Sequence, residues 1–263
     1  MKIHIITMED PLYTIGFFED ILKARHSDIT GITIAKGGRL KIGKKRSKAG
    51  YLFSLLMIMG PAFYARNVIK TLSFKFRKKV SGTLPAFKDP GLKTLAKKHG
   101  VPVDFTDNPN SEEYLDKLRK IGPDVIINQS QFIIKKPLME IPRIGVLNRH
   151  NALLPKNRGR LTPFWVLHKK EKETGVSIHF VDEGIDSGPI VVQKKFPVSK
   201  KDTFKTVVEK NYQLASGAML EALDLLENGH TEFIENRDEE ATYNTVPTLK
   251  EAIEFRKRRI FRG

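Results

Sequence analysis

Short apolar runs of strand length alternate with amphipathic runs of helical length along most of this 263-residue chain, and few folds accept that rhythm. "KIHIIT" (2–7) reads as a strand. "DPLYTIGFFEDILKAR" reads as a helix with Asp10 as N-cap and Pro11 at its first position, and "ITGITIA" as a second, β-branched strand. The motif repeats in "DPGLKTLAKKHG" (89–100), "VPVDF", "NSEEYLDKLRKIG" and "PDVIINQS". The last is apolar almost throughout, as a strand buried on both faces must be. "IGVLNRH" is a further strand, "TPFWVLHKKEK" a helix, "TGVSIHFV" and "PIVVQKKFPV" a strand pair. Val207, Tyr212, Ala215, Met219, Ala222, Leu223 and Leu226 mark a long final helix. Together these predict an α/β, Rossmann-like open sheet, mostly parallel, with helices on both faces.

Composition narrows the chemistry. The absence of cysteine excludes disulfides and a thiolate nucleophile. The N-terminal "MKIHIITMED" has neither the apolar core nor the cleavage site of a signal peptide, so a cytoplasmic location is expected. Of the formal charge of +16, a net +14 falls between Asp28 and Asp89, where 14 Lys and Arg meet no acidic residue. Such an excess favours an anionic partner.

Residues 37–88 break the strand and helix rhythm. They hold an apolar run from Tyr51 to Ala65 between basic segments, too short to span a bilayer and interrupted by Gly60 and Pro61. The reading is a basic, apolar helical insertion that packs on its own domain or a second subunit, or lies as a hairpin on an anionic membrane surface, which would make the protein membrane-peripheral. The remaining organisation is a catalytic domain over 1–229 and a short C-terminal extension over 230–263.

In "IGVLNRH" the strand period sends Val146, Asn148 and His150 to one side and Leu147 and Arg149 to the other. Asn148 and His150 therefore project together at a strand's carboxyl end, the edge where ligands bind in open α/β sheets. In "DEGIDSGPI", Gly184 and Gly188 permit a tight loop that turns Asp186 toward that edge. An amide donor, an imidazole and a carboxylate, with no metal cluster, suit acyl transfer to an external nucleophile.

With "NRHNALLPKNRG", "ETGVSIHFV" and "DEGIDSG" in this order, and 38 positions from Asn148 to Asp186, the chain resembles the folate-dependent formyltransferases. That family includes methionyl-tRNA formyltransferase, glycinamide ribonucleotide transformylase and the sugar N-formyltransferases. The resemblance covers residues 122 to 195. It implies the formyltransferase fold and 10-formyltetrahydrofolate as formyl donor, without a metal. Asn148 and His150 would bind the developing oxyanion, and Asp186 would position His150 and help move the amine proton. It also implies a folate site at Gln131, Phe132 and Ile133, with Asp182 and Gly184 in the turn opposite.

Departures from the pattern shape the acceptor. "TMEDPLYTIGF" has no glycine-rich phosphate loop, which disfavours glycinamide ribonucleotide, and the 34 residues after Gly229 are too few for the C-terminal barrel of the tRNA enzymes. The expected acceptor is a small anionic amine, for instance a nucleotide-linked amino sugar, whose phosphate would meet Lys156, Arg158 and Arg160. The alternatives are a methionyl-tRNA formyltransferase-like enzyme, which the basic segment would suit, and a non-catalytic binding or membrane-peripheral protein on the same scaffold.

Overall fold

A computed structural model describes residues 1–37, 47–83 and 89–260. Residues 38–46 of the insertion's "GGRLKIGKKRSK" stretch lie outside the described residues. The elements run β1 (Ile3–Thr7), α1 (Thr14–Arg25), β2 (Ile29–Ala35), α2 (Lys48–Met59), α3 (Pro61–Ser81), α4 (Leu92–Lys98), β3 (Val103–Thr106), α5 (Glu112–Ile121) and β4 (Val125–Gln129). They continue α6 (Lys136–Met139), β5 (Gly145–His150), β6 (Arg158–Gly159), α7 (Thr162–His168), β7 (Glu173–Phe180), β8 (Ile190–Pro197), α8 (Phe204–Glu227), β9 (Tyr243–Asn244) and α9 (Leu249–Ile260).

Seven strands form one sheet in the order β3-β2-β1-β4-β5-β7-β8. The first five are parallel, and β7 and β8 add antiparallel at one edge. The fold is the mostly parallel α/β sheet expected from the alternation. Within β1, Ile3 and Ile5 join the core against α1, α4 and α8, while Ile6 faces α5 and α6 on the other side. Burial of both faces explains why the central strands are apolar at nearly every position. Growth of the sheet reverses between β1 and β4, and ligands bind beyond the strand ends at such a reversal.

Two helices start later than their prolines suggested. Asp10 accepts from the backbone N–H groups of Leu12 and Tyr13, holding a turn before α1, and Tyr13 has a non-helical φ of −139°. Asp89 likewise accepts from Gly91 N–H, so α4 begins at Leu92. In both places the short carboxylate satisfies backbone donors in a turn instead of capping the helix directly. Helix α8 starts as a capping box, with Thr203 and Thr206 exchanging side-chain and backbone bonds.

The described part of the insertion is two helices bent by 120° where Gly60 adopts φ +78° and Pro61 opens α3. Among the described residues no single helix is long and apolar enough to cross a membrane. Helix α2 packs on α9 and joins a third core made of Ile58, Phe164, Phe204, Ala252 and Phe255. At position 60 the φ of +78° is what favours glycine, since the nearest group a Cβ would meet is the movable end of Arg256. Helix α3 buries no residue.

Candidate active site

Strand β5 delivers Asn148 and His150 to the carboxyl edge, beside β4 on one flank and β7 on the other. The β7 register sets His179 directly opposite Asn148. The loop after β7 returns Asp186 to the same point through a left-handed backbone at φ +50°, a conformation that Asp tolerates better than most side chains. Close approach also requires Gly188, where a Cβ would lie 2.1 Å from Phe180 O.

Asp186 Oδ2 accepts from Gly159 N–H at 2.9 Å and faces His150 Nδ1 at 3.4 Å. Its Oδ1 lies 3.5 Å from Asn148 Nδ2 and 3.6 Å from His179 Nε2. Burial would raise the carboxyl, but attraction to His150, the hydrogen bond and charge of His179, and the Gly159 N–H hold it far below its usual range. His150 shifts down from 6.5 because burial outweighs the pull of Asp186. At neutral pH the pair is therefore a carboxylate beside a neutral imidazole.

Hydrogen-bond partners set the ring orientations. His150 Nε2 donates to Asn157 O at 2.8 Å, and His179 Nδ1 donates to Phe180 O at 2.7 Å. Asn148 Nδ2 lies 3.3 Å from His179 Nε2 and points toward Asp186 Oδ1, while Asn148 Oδ1 accepts from Gln129 Nε2 at 2.9 Å. The Asn148 amide is thus fixed from both ends. Asn157, itself at φ +59°, is held by Thr242 Oγ1 on its N–H and by Asn244 Nδ2 and Lys169 Nζ on its Oδ1. Its own Nδ2 donates to both oxygens of Glu171.

Asn148, His150, Asp186 and Gln129 border a cavity of about 450 Å³. Its wall combines amides (Gln129, Gln131, Asn148, Asn151) with aromatic rings (Tyr13, Phe63, Phe204, Tyr212), and Asn67 of α3 with Met59 of α2 closes one side. Arg149 is the one Lys or Arg among the described lining residues. Its guanidinium stacks on Phe17 and Tyr212, with 4.9 and 4.3 Å to the centroids, and Tyr212 in turn stacks on Tyr13. Arg149 donates to Gln129 Oε1, Asn151 Oδ1 and Tyr212 Oη. Every one of those partners is neutral.

Asn148, His150, Asp186 and Gln131 therefore meet at one cavity, and the other expected contacts do not line it. Arg158 is wholly buried, its guanidinium bonded to Asp238, Tyr243 and Asn236, so it ties the C-terminal segment to the loop and offers nothing to a phosphate. Lys156 and Arg160 are exposed outside the cavity. Phe132 and Ile133 also stand outside it, Ile133 being 86% exposed. Asp182 spends Oδ1 on Gly184 N–H and Ser187 Oγ within its own turn. The sequence reading passed over His179, Gln129 and Arg149. The strand period put Arg149 on the far side of β5, but the cavity wraps the strand end and takes residues from both faces. Among the described residues no group of three or more acidic or imidazole side chains could hold a metal ion.

Comparison with known proteins places the chain. A sequence model described as formyl transferase matches residues 66–223. The methionyl-tRNA formyltransferase of Kosmotoga olearia is 33% identical over 163 residues, 62% of this chain and 52% of that protein. The chain spans about half the length of the curated relatives it matches. Glycinamide ribonucleotide transformylase 1 from Symbiobacterium toebii shares the fold with a TM-score of 0.60 at 17% identity, covering 90% of this chain and 92% of that one. The N-formyltransferase from Helicobacter canadensis, solved with folinic acid and dTDP-3-aminofucose, superposes with a TM-score of 0.55 at 19% identity, covering 93% and 71%.

Proposed function

Because the chain belongs to the formyl transferase family, we propose that it transfers a formyl group from 10-formyltetrahydrofolate to the amino group of a small anionic acceptor such as a nucleotide-linked amino sugar. The observation that carries this reading is the convergence of Asn148, His150 and Asp186 on one cavity, each held by further hydrogen bonds. The cavity suits the donor: its volume is in the range of ligand pockets, and its amides and rings match a flat heteroaromatic with a polar edge. A neighbour of the same fold was solved with folinic acid, a reduced folate.

When bound, the folate supplies the formyl carbon as electrophile. Asn148 offers a fixed amide donor toward a carbonyl oxygen that gains negative charge. Asp186, ionised and beside His150 and His179, would take the proton that the amine loses as its nitrogen bonds to the formyl carbon, and that proton would pass to the folate nitrogen as its bond to the same carbon breaks. Gln131 is the cavity's candidate contact for the pterin, with Phe132, Ile133, Asp182 and Gly184 as the rim beyond it. Arg149, unpaired with any carboxylate among the described residues, takes over the anion-recognising role first assigned to the loop cations. Catalysis is assigned to residues 1–229, with 230–263 as an extension that props the site from outside, and the setting is cytoplasmic.

Methionyl-tRNA is the second acceptor reading. It is favoured by the tRNA enzymes among the relatives and by the basic segment between Asp28 and Asp89. The test is to incubate the protein with 10-formyltetrahydrofolate and a panel of amino-sugar nucleotides, simple amines and methionyl-tRNA, and to follow tetrahydrofolate release. Release that requires one acceptor class and disappears in His150→Ala supports transfer and names the class. Release with tRNA alone, falling steeply with salt, selects the second reading. Turnover with no acceptor overturns both.

A further inference from the structure

Helix α3 presents two unlike faces. Phe63, Asn67, Phe74 and Lys78 recur along the side turned to the protein, where Phe63 and Asn67 line the cavity and Lys78 pairs with Glu9. On the opposite side Ile69, Leu72 and Phe76 fall on one stripe and are 66%, 61% and 64% exposed. Helical geometry places Arg66, Lys70 and Arg77 along one flank of that stripe and Lys75 and Lys79 along the other. None of these five cations has an ion pair among the described residues, and no acidic residue lies between Asp28 and Asp89 to neutralise them. At 21 residues the helix is about 32 Å long.

A folded protein has no internal reason to expose three large apolar side chains in line. The occupant of the stripe must supply an apolar medium at its centre and negative charge along both edges. A polyanion such as RNA offers the charge without the apolar medium. A second α3 offers the apolar medium but sets cation against cation at both rims. An anionic phospholipid bilayer offers both, at the depth an interfacial helix reaches. We propose that α3 docks the protein on an anionic lipid bilayer, with Ile69, Leu72 and Phe76 entering the acyl boundary and Arg66, Lys70, Lys75, Arg77 and Lys79 meeting headgroup phosphates. Because the same helix walls the cavity through Phe63 and Asn67, docking fixes the site close to the headgroup plane. The inference stands apart from formyl transfer and needs no turnover to be tested.

The experiment is co-sedimentation of the full chain with vesicles of phosphatidylcholine alone and of phosphatidylcholine containing about a quarter phosphatidylglycerol, at low and high salt. The comparison variant is Ile69→Ser/Leu72→Ser/Phe76→Ser. These side chains are exposed, so its circular dichroism and urea midpoint should match the parent. Expected is binding confined to the anionic vesicles, weakened by salt, and reduced roughly tenfold or more by the three serines. No binding, equal binding to neutral vesicles, or binding that survives the substitutions overturns the proposal. Light scattering provides the remaining arm: a parent dimer that the serines dissolve makes a second copy the occupant and overturns it as well.

Discussion

Asp186 and His150 meet as unequal partners: the carboxylate oxygen stands 3.4 Å from an imidazole nitrogen whose ring is almost fully buried, and the carboxylate keeps the charge. Asp186 pulls the His150 pKa up against a larger desolvation effect. The His150 imidazole should therefore titrate below 6.5 by NMR, and lower still in Asp186→Asn, where that pull is gone. A rise in the variant would refute the assigned balance. The same substitution should cut turnover by about 10²- to 10⁴-fold, the usual worth of a positioned proton acceptor.

Among the described residues Arg149 bonds only neutral partners, which leaves its charge to be met by a ligand. Arg149→Met should raise the KM for an anionic acceptor by roughly 10- to 100-fold, as expected for losing hydrogen bonds to a charged group. The KM for the formyl donor should move little. An unchanged acceptor KM would remove Arg149 from anion recognition.

Arg158 makes a contrasting prediction. Replacing it with Met leaves Asn236 O without its donor, while Asp238 and Tyr243 are mostly exposed and can return to water. The expected loss is on the order of 2 kcal/mol in a urea unfolding series. A stable variant with a weakened acceptor KM would restore Arg158 to a binding role.

Burial sets the pH response of stability at His4, whose ring bonds Thr30 and Thr33 and whose pKa falls to about 4, with Lys117 lowering it and Asp104 opposing. The unfolded chain binds this proton near pH 6.5 and the native one only near 4. Stability from His4 is thus complete above 6.5 and drains away as pH falls toward 4, by about 3 kcal/mol in all. Urea midpoints of His4→Gln should lose that part of the slope between pH 6.5 and 4. Parallel curves for parent and variant would show that His4 protonates without penalty.

What could be read from the sequence follows from what is local. Strands such as β4 declare themselves because both faces are buried, and the glycines around Asp186 announce a turn able to hold it. Asn148 and His150 share a face by the period of a strand alone. The pairing of His179 with Asn148 depends on the register between β5 and β7, which no local pattern fixes. Arg158 looked like a loop cation because its partners Asn236, Asp238 and Tyr243 lie about 80 positions away. The arrival of Met59, Phe63 and Asn67 at the cavity is likewise a tertiary event: the insertion's composition declared a helical insertion, and the packing of α2 on α9 is not written in that composition.

Asn157 carries a consequence for how this protein comes into being. The carbonyl that orients the His150 ring belongs to a residue gripped by Thr242 and Asn244, and β9 closes on β6 only when that stretch is in place. On the ribosome the sheet and its three reactive side chains emerge well before these two. A nascent chain stopped near residue 230 would hold Asn148, His150 and Asp186 but lack the grip that aims the imidazole, so competence arrives only once Thr242 and Asn244 have been translated.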